Sequence, residues 1–357
     1  RTIAAVICSD IVDPVLSVAV TSRWPQVTRA APRADPPTTA PRYAAHVNAP
    51  RIALVTYAPL PDLDADDAPL LEALASRGAH AEAVVWDDPQ VDWSGFDLVV
   101  IRSTWDYMDR LEEFLAWAEQ VSEVSTLANP VEVLRWNTDK AYLRDLEAHG
   151  IAVVPTKYLD PEVHNEGRKI HARIPGRAEF VVKPTVSAGS KDTARYRSGD
   201  VEDRGAAVRH VRRLLSEGRS VMIQPYLKAV DEVGETALMY VGGLFSHAAR
   251  KGAILKDFGF ALDEPLMAEE MSPREPSPAE RAVGDAVIAA LPHLVADAGA
   301  AFPLLYARVD VVPDDEGRPV VLEVEVTEPS MFLRLEPGSV DRFADTVVAR
   351  ALRASMR

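Results

Sequence analysis

Cysteine is almost absent from this sequence, and so are the features that mark membrane and zinc proteins. The 357 residues include one cysteine, Cys8, so no internal disulfide can form and a reducing, cytoplasmic location is expected. No Cys/His cluster has the spacing of a zinc site. No apolar run is long enough to cross a bilayer, because Asp10, Asp13 and Pro14 interrupt the stretch 3–20. We therefore expect no membrane partner and no zinc.

The chain also lacks an excess of basic residues. It has 39 Lys and Arg against 54 Asp and Glu, a net charge of −15, which would repel nucleic acid and anionic membranes. An anionic ligand would therefore need a locally basic pocket. Its 357 residues are enough for two or three domains, and a hydrophobic content of 47% is enough for a buried core. An oligomer is compatible with this composition, but nothing in the sequence specifies one.

Several catalytic signatures are missing as well. The sequence contains no Walker A loop, no G-x-G-x-x-G dinucleotide loop, no H-E-x-x-H zinc motif and no G-x-S-x-G nucleophile elbow. His247 falls inside a predicted strand and is expected to be structural. A function must therefore come from less compact groups of residues.

The pattern along the chain predicts a mixed α/β fold. Residues 1–50 carry scattered prolines without periodicity, which is typical of a flexible extension; the chain begins with Arg1, and we expect a trimmed or partial product. From Arg51, strands and helices alternate, which predicts a parallel sheet. After about residue 150 the strands follow one another, which predicts an antiparallel, α+β part. The predicted strands are 51–57, 81–86, 96–102, 152–158, 179–183, 220–226, 235–241 and 244–250; the predicted helices are 66–77, 110–121, 140–149 (capped by Asn137 or Thr138), 203–217, 277–297 and one from about 340.

A charged hairpin between residues 308 and 330 is the strongest chemical signal. In its two strands Arg308 and Asp310, then Glu323 and Glu325, alternate with buried-type valines, so the four charges share one face. Two carboxylates about 4 Å apart repel by roughly 4 kcal/mol at an effective dielectric near 20. Such a face favours hard divalent cations, although an ordinary solvated hairpin has the same pattern.

A second signal is a lysine at the end of a strand. Lys183 is followed by the polar, small-residue segment 184–192, whose backbone amides suit an anion such as phosphate. Lys140, Arg250 and Lys251 add positive charge in the same half of the chain. Each of them alone would usually be a solvated surface charge.

The order of these motifs resembles the ATP-grasp family of carboxylate-activating ligases over residues 51–357. The resemblance implies an ATP-grasp fold, with an N-terminal parallel-sheet domain at 51–135 and two α+β subdomains at 136–225 and 226–357 that clasp ATP. It implies ATP and two Mg²⁺ ions as cofactors and a small amino-acid-like substrate. The implied roles are ATP binding by Lys140, Lys183, Ser187, Gly189, Ser190, Gln224, Tyr226, Leu227 and Glu235, metal binding by Asp310, Glu323 and Glu325, and catalysis by Arg308, which steadies the acyl phosphate, and Lys251.

Longer segments resemble one branch of this family, the O-ureido-D-serine cyclo-ligases of antibiotic biosynthesis, which close the ring of D-cycloserine. These segments are RSTWDY, KPTVSAGSKDTARY, QPYL and LEVEVTEPS. One position departs from the family, because many members have asparagine where this chain has Glu325. The candidates for substrate contact are Arg102, Ser103, Thr104, Trp105, Asp106 and Tyr107, which follow a predicted strand, and Ser330. Trp105 and Tyr107 are equally compatible with a role in covering the core.

The resemblance predicts a ligase that converts a carboxylate to an acyl phosphate for attack by a nitrogen, either within one molecule, as in ring closure, or between two amino acids. An intermolecular ligase would need a second pocket for the amine. A different alternative is a regulator that binds nucleotide without turnover.

Overall fold

The computed structural model describes residues 49–164, 167–176, 178–253, 255, 259–260 and 271–356. The predicted extension at 1–50, with Cys8, therefore lies almost wholly outside the described residues, and so does most of the segment 257–276, predicted as a loop over the site. In the part of the chain that is described, no helix has the length and apolar character needed to span a membrane.

The helices and strands follow the predicted order closely. The strands are β1 Arg51–Thr56, β2 His80–Val85, β3 Leu98–Ser103, β4 Thr126–Ala128, β5 Lys157–Leu159, β6 Glu179–Pro184, β7 Ala194–Arg197, β8 Val221–Pro225, β9 Glu235–Val241, β10 Leu244–Lys251, β11 Gly259–Phe260, β12 Met271–Pro273, β13 Tyr306–Pro313 and β14 Pro319–Glu325. The α-helices are α1 Pro69–Ala75, α2 Leu111–Val124, α3 Val131–Asn137, α4 Leu143–Ala148, α5 Pro161–His164, α6 Gly167–Arg173, α7 Val201–Ser216, α8 Ala229–Val233, α9 Pro278–Leu294 and α10 Ser339–Ala354.

The first sheet is parallel, in the order β2-β1-β3-β4. Its two central strands are buried along almost their whole length, as expected for a sheet covered by helices on both faces. This confirms the parallel sheet that was predicted from the alternating pattern. The loops that follow β1 and β3 emerge at the same edge of the sheet, where ligands bind in folds of this kind.

Two antiparallel sheets complete the fold. One has the order β11-β7-β6-β8-β5, and the other has the order β12-β10-β9-β13-β14. In the first of these, Phe180 and Val182 pack beneath α7 with Val211 and Leu214. The change from parallel to antiparallel pairing confirms the predicted mixed fold class.

Helix α9 begins as its sequence predicts. The Ser277 hydroxyl accepts the Glu280 backbone N–H at 3.2 Å, and the Glu280 carboxylate accepts the Ser277 backbone N–H at 2.7 Å. This reciprocal capping box satisfies two N–H groups that the helix cannot pair itself. Proline at the first helical position costs nothing there, because its missing N–H would have no partner in the helix.

Some predicted elements were wrong. The helix expected at 140–149 is a 3₁₀ turn at Lys140–Tyr142 followed by α4, and Asp139 caps it by accepting the Ala141 backbone N–H. Asn137 instead bonds to the backbone of β14 and to the segment after it. The strand expected at 152–158 is only β5 with an isolated bridge at Val153. The sequence pattern did not indicate α3, α5, α6, β4 or β7, which are all seven residues or shorter.

The last helix packs against the first. Helix α10 lies on α1, and Phe343 and Val347 join Ile52 and Leu54 of β1 in one hydrophobic cluster. The C-terminal segment therefore covers one face of the N-terminal sheet. The predicted boundaries at 51–135, 136–225 and 226–357 remain predictions.

Candidate active site

A cavity of about 960 Å³ lies where the three sheets meet. One wall is formed by β6, β8 and the loop after β6, and the opposite wall by the hairpin β13–β14. Loops that follow β1 and β3 of the parallel sheet close one end, through Tyr57, Trp105 and Tyr107. The cavity is large enough for a nucleotide and a small second ligand.

The hairpin β13–β14 places its four charges as predicted. In the antiparallel register Asp310 lies opposite Glu323 and Arg308 lies opposite Glu325. Asp310 is almost fully buried, and its carboxylate accepts hydrogen bonds from Arg308 Nε at 2.9 Å and from Lys251 Nζ at 2.7 Å. Burial raises the pKa of Asp310, but Arg308 and Lys251 outweigh it, so the pKa lies below its usual range. Asp310 is therefore a permanent anion behind the cavity wall.

The two glutamates of β14 face the cavity but differ in charge state. Glu323 lies 3.1 Å from Lys140 Nζ, and although burial raises its pKa, the attraction of Lys140, Lys183 and Lys251 lowers it overall. Glu325 pairs with Arg308, yet burial and the nearby Glu323 raise its pKa to about 7. The pKa values of the two glutamates are thus shifted in opposite directions, and Glu325 holds a proton more readily than Glu323.

Lys183, at the end of β6, extends into the cavity opposite the hairpin. Its side chain is buried, and burial is the largest cause of a lowered pKa. Within the described residues no carboxylate lies within salt-bridge distance of Lys183. A buried ammonium without a partner is costly, so this lysine is suited to a ligand that brings negative charge.

The loop after β6 is held from two sides. Lys140 donates from its backbone N–H to Thr185 O at 2.9 Å and from its side chain to Ser187 O. Lys191 reaches Asp109 of the N-terminal domain at 2.7 Å. Gly189 and Ser190 have φ values of +57° and +59°, a left-handed conformation that turns successive backbone N–H groups the same way and suits anion binding. Ser187, Gly189 and Ser190 all line the cavity, as predicted for a phosphate loop.

The predicted adenine hinge forms the far end of the cavity. Tyr226 and Leu227 line it, with Val154, Val181, Val312 and Leu322 supplying apolar walls. Gln224 also lines it, although its side-chain amide donates to Thr156 Oγ1 at 2.9 Å. Glu235, the predicted ribose ligand, lies 3.1 Å from Lys251 Nζ. A flat apolar slot beside polar backbone fits a nucleotide base.

The loop after β3 contributes only part of its predicted substrate contacts. Trp105, Tyr107 and, from the other side, Ser330 line the cavity. Arg102, Ser103, Thr104 and Asp106 do not. Arg102 is buried in an ion pair with Asp67 and donates to Pro329 O at 2.8 Å, while Asp106 accepts the Trp86 indole N–H at 2.9 Å. Since Ser103 and Thr104 are completely buried, these four residues shape the loop without facing the cavity.

Sequence reasoning missed several cavity residues, and Glu328 is the most important. It lies three residues beyond the end of β14, so the strand alternation that revealed Glu323 and Glu325 no longer indicates where its side chain points. Burial and the neighbouring Glu325 raise its pKa to about 8, although Lys140 and Tyr107 lower it. Tyr57, directly after β1, could have been found from the rule that ligands bind at the carboxyl ends of parallel strands.

The donor set of the hairpin fits a hard cation. Three carboxylates, at 310, 323 and 325, lie on one face of two paired strands, and carboxylate oxygens are the ligands that Mg²⁺ prefers. In this structure each carboxylate contacts a lysine or arginine instead. Among the described residues no three metal-binding side chains converge on one point. A cation would therefore either share these carboxylates with Lys140 and Arg308 or displace the two side chains from them.

Comparisons with known proteins agree with this geometry. Residues 52–129 match the family model of the D-cycloserine synthetase DcsG N-terminal domain. The chain is 42% identical to the cycloserine biosynthesis protein DcsG of Streptomyces lavendulae over 301 residues, which are 84% of this chain and 98% of that protein.

Solved structures show the same relationship. The crystal structure of D-cycloserine synthetase DcsG is 41% identical, with a TM-score of 0.76 over 84% of this chain and 99% of that one. A RimK domain ATP-grasp protein from Sphaerobacter thermophilus is 19% identical, with a TM-score of 0.58 over 83% of this chain and 98% of that one. At that identity the second likeness shows the fold alone, and it confirms the predicted ATP-grasp fold.

Proposed function

Because this chain belongs to the D-cycloserine synthetase DcsG family of ATP-grasp ligases, we propose that it uses Mg²⁺ and ATP to close the ring of O-ureido-D-serine, giving D-cycloserine. The observation that carries this proposal is the set of charges along the cavity. Lys140, Lys183, Lys251 and Arg308 line the cavity together with Glu323 and Glu325, and Asp310 lies behind its wall in contact with Lys251 and Arg308. Such a mixture suits a polyphosphate with its metal ions.

The chain's own residues would bind ATP along the length of the cavity. The apolar slot beside Tyr226 and Leu227 takes the base, and Glu235 takes the ribose. Lys140, Lys183 and the backbone N–H groups near Gly189 and Ser190 take the phosphates. Asp310, Glu323 and Glu325 would hold two Mg²⁺ ions, which when bound neutralise charge on the phosphates.

The proposed reaction has three bond exchanges. A carboxylate oxygen of the substrate bonds to the terminal phosphorus of ATP as the bond to ADP breaks, giving an acyl phosphate. The ureido nitrogen next to the oxygen then attacks the acyl carbon, phosphate leaves, and the nitrogen loses its proton. Hydrolysis of the carbamoyl group releases carbon dioxide and ammonia. Arg308, which contacts Asp310 and Glu325, would stabilise the acyl phosphate oxygens.

Ring closure within one molecule needs no second amine pocket. Holding both reacting groups in one bound substrate raises their effective concentration, which is a large contribution to rate. Family membership disfavours the regulator hypothesis, because the chain is an ATP-grasp ligase. An intermolecular carboxylate–amine ligase remains the second candidate, and the two candidates differ in the number of substrates.

The test is ADP release by the full chain with Mg²⁺ and ATP, with product masses recorded. We expect O-ureido-D-serine alone to support ADP release and to yield a product with the mass of D-cycloserine. ADP release that requires two added amino acids, with a dipeptide mass, would contradict ring closure and support the intermolecular ligase. The same assay with D- and L-serine controls for release without ring formation.

A further inference from the structure

Six carboxylates line the cavity among the described residues, and one of them differs from the rest. Glu235, Glu323 and Glu325 each contact a lysine or arginine. Asp66 accepts the backbone N–H groups of Leu333 and Arg334 through its two oxygens, at 2.9 Å each. Asp64 accepts the Asp66 backbone N–H at 2.8 Å. Within the described residues Glu328 has no lysine or arginine at salt-bridge distance and no backbone donor of this kind, although the charge of Lys140 is near enough to lower its pKa.

Glu328 is nevertheless held in a defined position. It is 9% exposed and lines the cavity together with Tyr107, which is close enough to lower the pKa of its carboxyl group. Its backbone oxygen faces the Trp105 indole N–H at 3.4 Å, and Arg102 donates to the next carbonyl, Pro329 O, at 2.8 Å. The segment that carries Glu328 is thus fixed from the N-terminal sheet. A buried carboxyl group that no lysine or arginine contacts is stabilised as an anion by a cationic ligand group, which lowers its pKa on binding.

The neighbouring contacts indicate which ligand group this is. Arg308, the residue placed at the acyl phosphate, donates to Ser330 O at 3.1 Å, so the segment 328–330 lies beside the reacting end of the cavity. In an amino acid the ammonium is attached to the carbon next to the carboxylate. A site that activates the carboxylate beside Arg308 therefore needs an anion a few ångströms away, and the other acids along the cavity are already engaged.

We propose that the Glu328 carboxylate binds the ammonium group of the amino-acid substrate and that Tyr107 positions this carboxylate. The inference rests on the proposed function in so far as the substrate is an amino acid. Glu328 is then a specificity residue that selects substrates with an amino group next to the carboxylate. Tyr107 acts through Glu328.

The experiment compares two compounds that differ only in the amino group. Binding of O-ureido-D-serine and of 3-(ureidooxy)propanoate is measured by calorimetry on the full chain saturated with Mg²⁺ and a non-hydrolysable ATP analogue. For a hydrogen-bonded charge pair we expect the wild type to prefer the amino compound by roughly tenfold or more. Glu328→Gln should reduce this preference to less than about threefold, and Tyr107→Phe should reduce it partly.

The control is Glu316→Gln, which removes an exposed acid in the turn between β13 and β14 that pairs only with Arg318 among the described residues. It should keep the full preference. If Glu328→Gln does not fold, the preference for the amino compound is compared between the wild type and Tyr107→Phe, and a loss of preference in that variant still tests the proposal. Equal binding of the two compounds by the wild type overturns the proposal, and so does a Glu328→Gln variant that keeps the full preference.

Ring formation reports on the proposed function separately. If the wild type prefers the amino compound, Glu328→Gln loses that preference and no ring product forms, the result contradicts ring closure and supports the role of Glu328. Ring formation with equal binding contradicts the role of Glu328 alone. Failure of both compounds to bind contradicts both proposals.

Discussion

The Lys251 ammonium lies 2.7 Å from the Asp310 carboxylate, and both side chains are almost fully buried. The same ammonium lies 3.1 Å from Glu235 at the start of β9. One lysine on β10 therefore joins an acid on the neighbouring strand to an acid on β13, the next strand of the sheet. Removal of this lysine would leave Asp310 buried with Arg308 as its remaining cation.

We expect Lys251→Met to lower the free energy of unfolding by about 3 kcal/mol, because the buried Asp310 loses one of its cationic partners. Lys191→Met is the matched control, since Lys191 and Asp109 form an exposed pair worth less than about 1 kcal/mol. Urea unfolding without Mg²⁺ measures both. The double variant Lys251→Met/Asp310→Asn should recover part of the loss. Equal losses of unfolding free energy in the two single variants would show that the buried pair stabilises the fold no more than the exposed pair does.

Lys183→Met should separate stability from activity. Since Lys183 is buried without a salt-bridge partner in the described chain, a methionine of similar length should leave the free energy of unfolding unchanged or raise it by about 1 kcal/mol. The kcat/KM for ATP in the ADP-release assay should fall at least about 100-fold, as when a charge-stabilising donor is removed.

The control for this variant is Lys157→Met, which removes an exposed lysine whose side chain donates to Arg173 O. It should change the kcat/KM for ATP by less than about twofold and the free energy of unfolding by less than about 0.5 kcal/mol. A Lys183→Met protein that is destabilised by more than about 2 kcal/mol would show that the lysine stabilises the fold, contrary to this expectation.

Periodicity was sufficient to predict the hairpin that carries the metal-binding candidates. Valines at every second position of β13 and β14 leave only one arrangement that buries them, and that arrangement puts Arg308, Asp310, Glu323 and Glu325 on the other face. The resemblance to the ATP-grasp family added the lysines and the hinge, which no periodic pattern marks. Both lysines and the hinge residues line the cavity.

The directions of the side chains in the loop after β3 could not be predicted from the sequence. A polar run at the end of a parallel strand was expected to face the ligand, yet Arg102 turns to Asp67, 35 positions earlier in the chain. That partner and the aromatic rings of Tyr306 and Phe343 above the guanidinium are brought together only by tertiary packing. Glu328 was missed for the complementary reason, because the chain leaves the strand before reaching it.

His210 makes the stability of the chain depend on pH. Burial is the largest cause that lowers its pKa, from 6.5 to about 4. Between these values the unfolded chain binds a proton that the folded chain does not, so the free energy of unfolding falls as the pH drops from 6.5 toward 4, by at most about 3 kcal/mol. Above pH 6.5 this contribution is constant.

His210→Gln should therefore show a smaller loss of stability between pH 7 and pH 4.5 than the wild type, as measured by urea unfolding at each pH. His80→Gln, at an exposed position of β2, should keep the slope of the wild type. Parallel curves for the wild type and His210→Gln would mean that other groups cause the acid sensitivity.

Arg195 is expected to control nucleotide affinity without taking part in the reaction. Its guanidinium lies 3.5 Å from the centroid of the Tyr226 ring, and it donates to Glu179 at 2.9 Å and to Leu255 O at 3.0 Å. It thus fixes the hinge tyrosine to β6 and to a residue that lines the cavity. Lysine keeps the charge but lacks the planar guanidinium group, which stacks on aromatic rings and donates bidentate hydrogen bonds.

Arg195→Lys should therefore raise the KM for ATP by roughly five- to tenfold, the equivalent of about 1 to 1.4 kcal/mol, and change kcat less than about twofold. Saturation curves of ADP release and binding of a non-hydrolysable ATP analogue both measure this effect. Arg197→Lys is the control, because Arg197 lies two positions further along, is exposed and pairs with the half-buried Asp203. If Arg195→Lys lowered kcat while KM stayed constant, the hinge would not be where the base binds, since Arg195 would then act on the reaction instead of on nucleotide affinity.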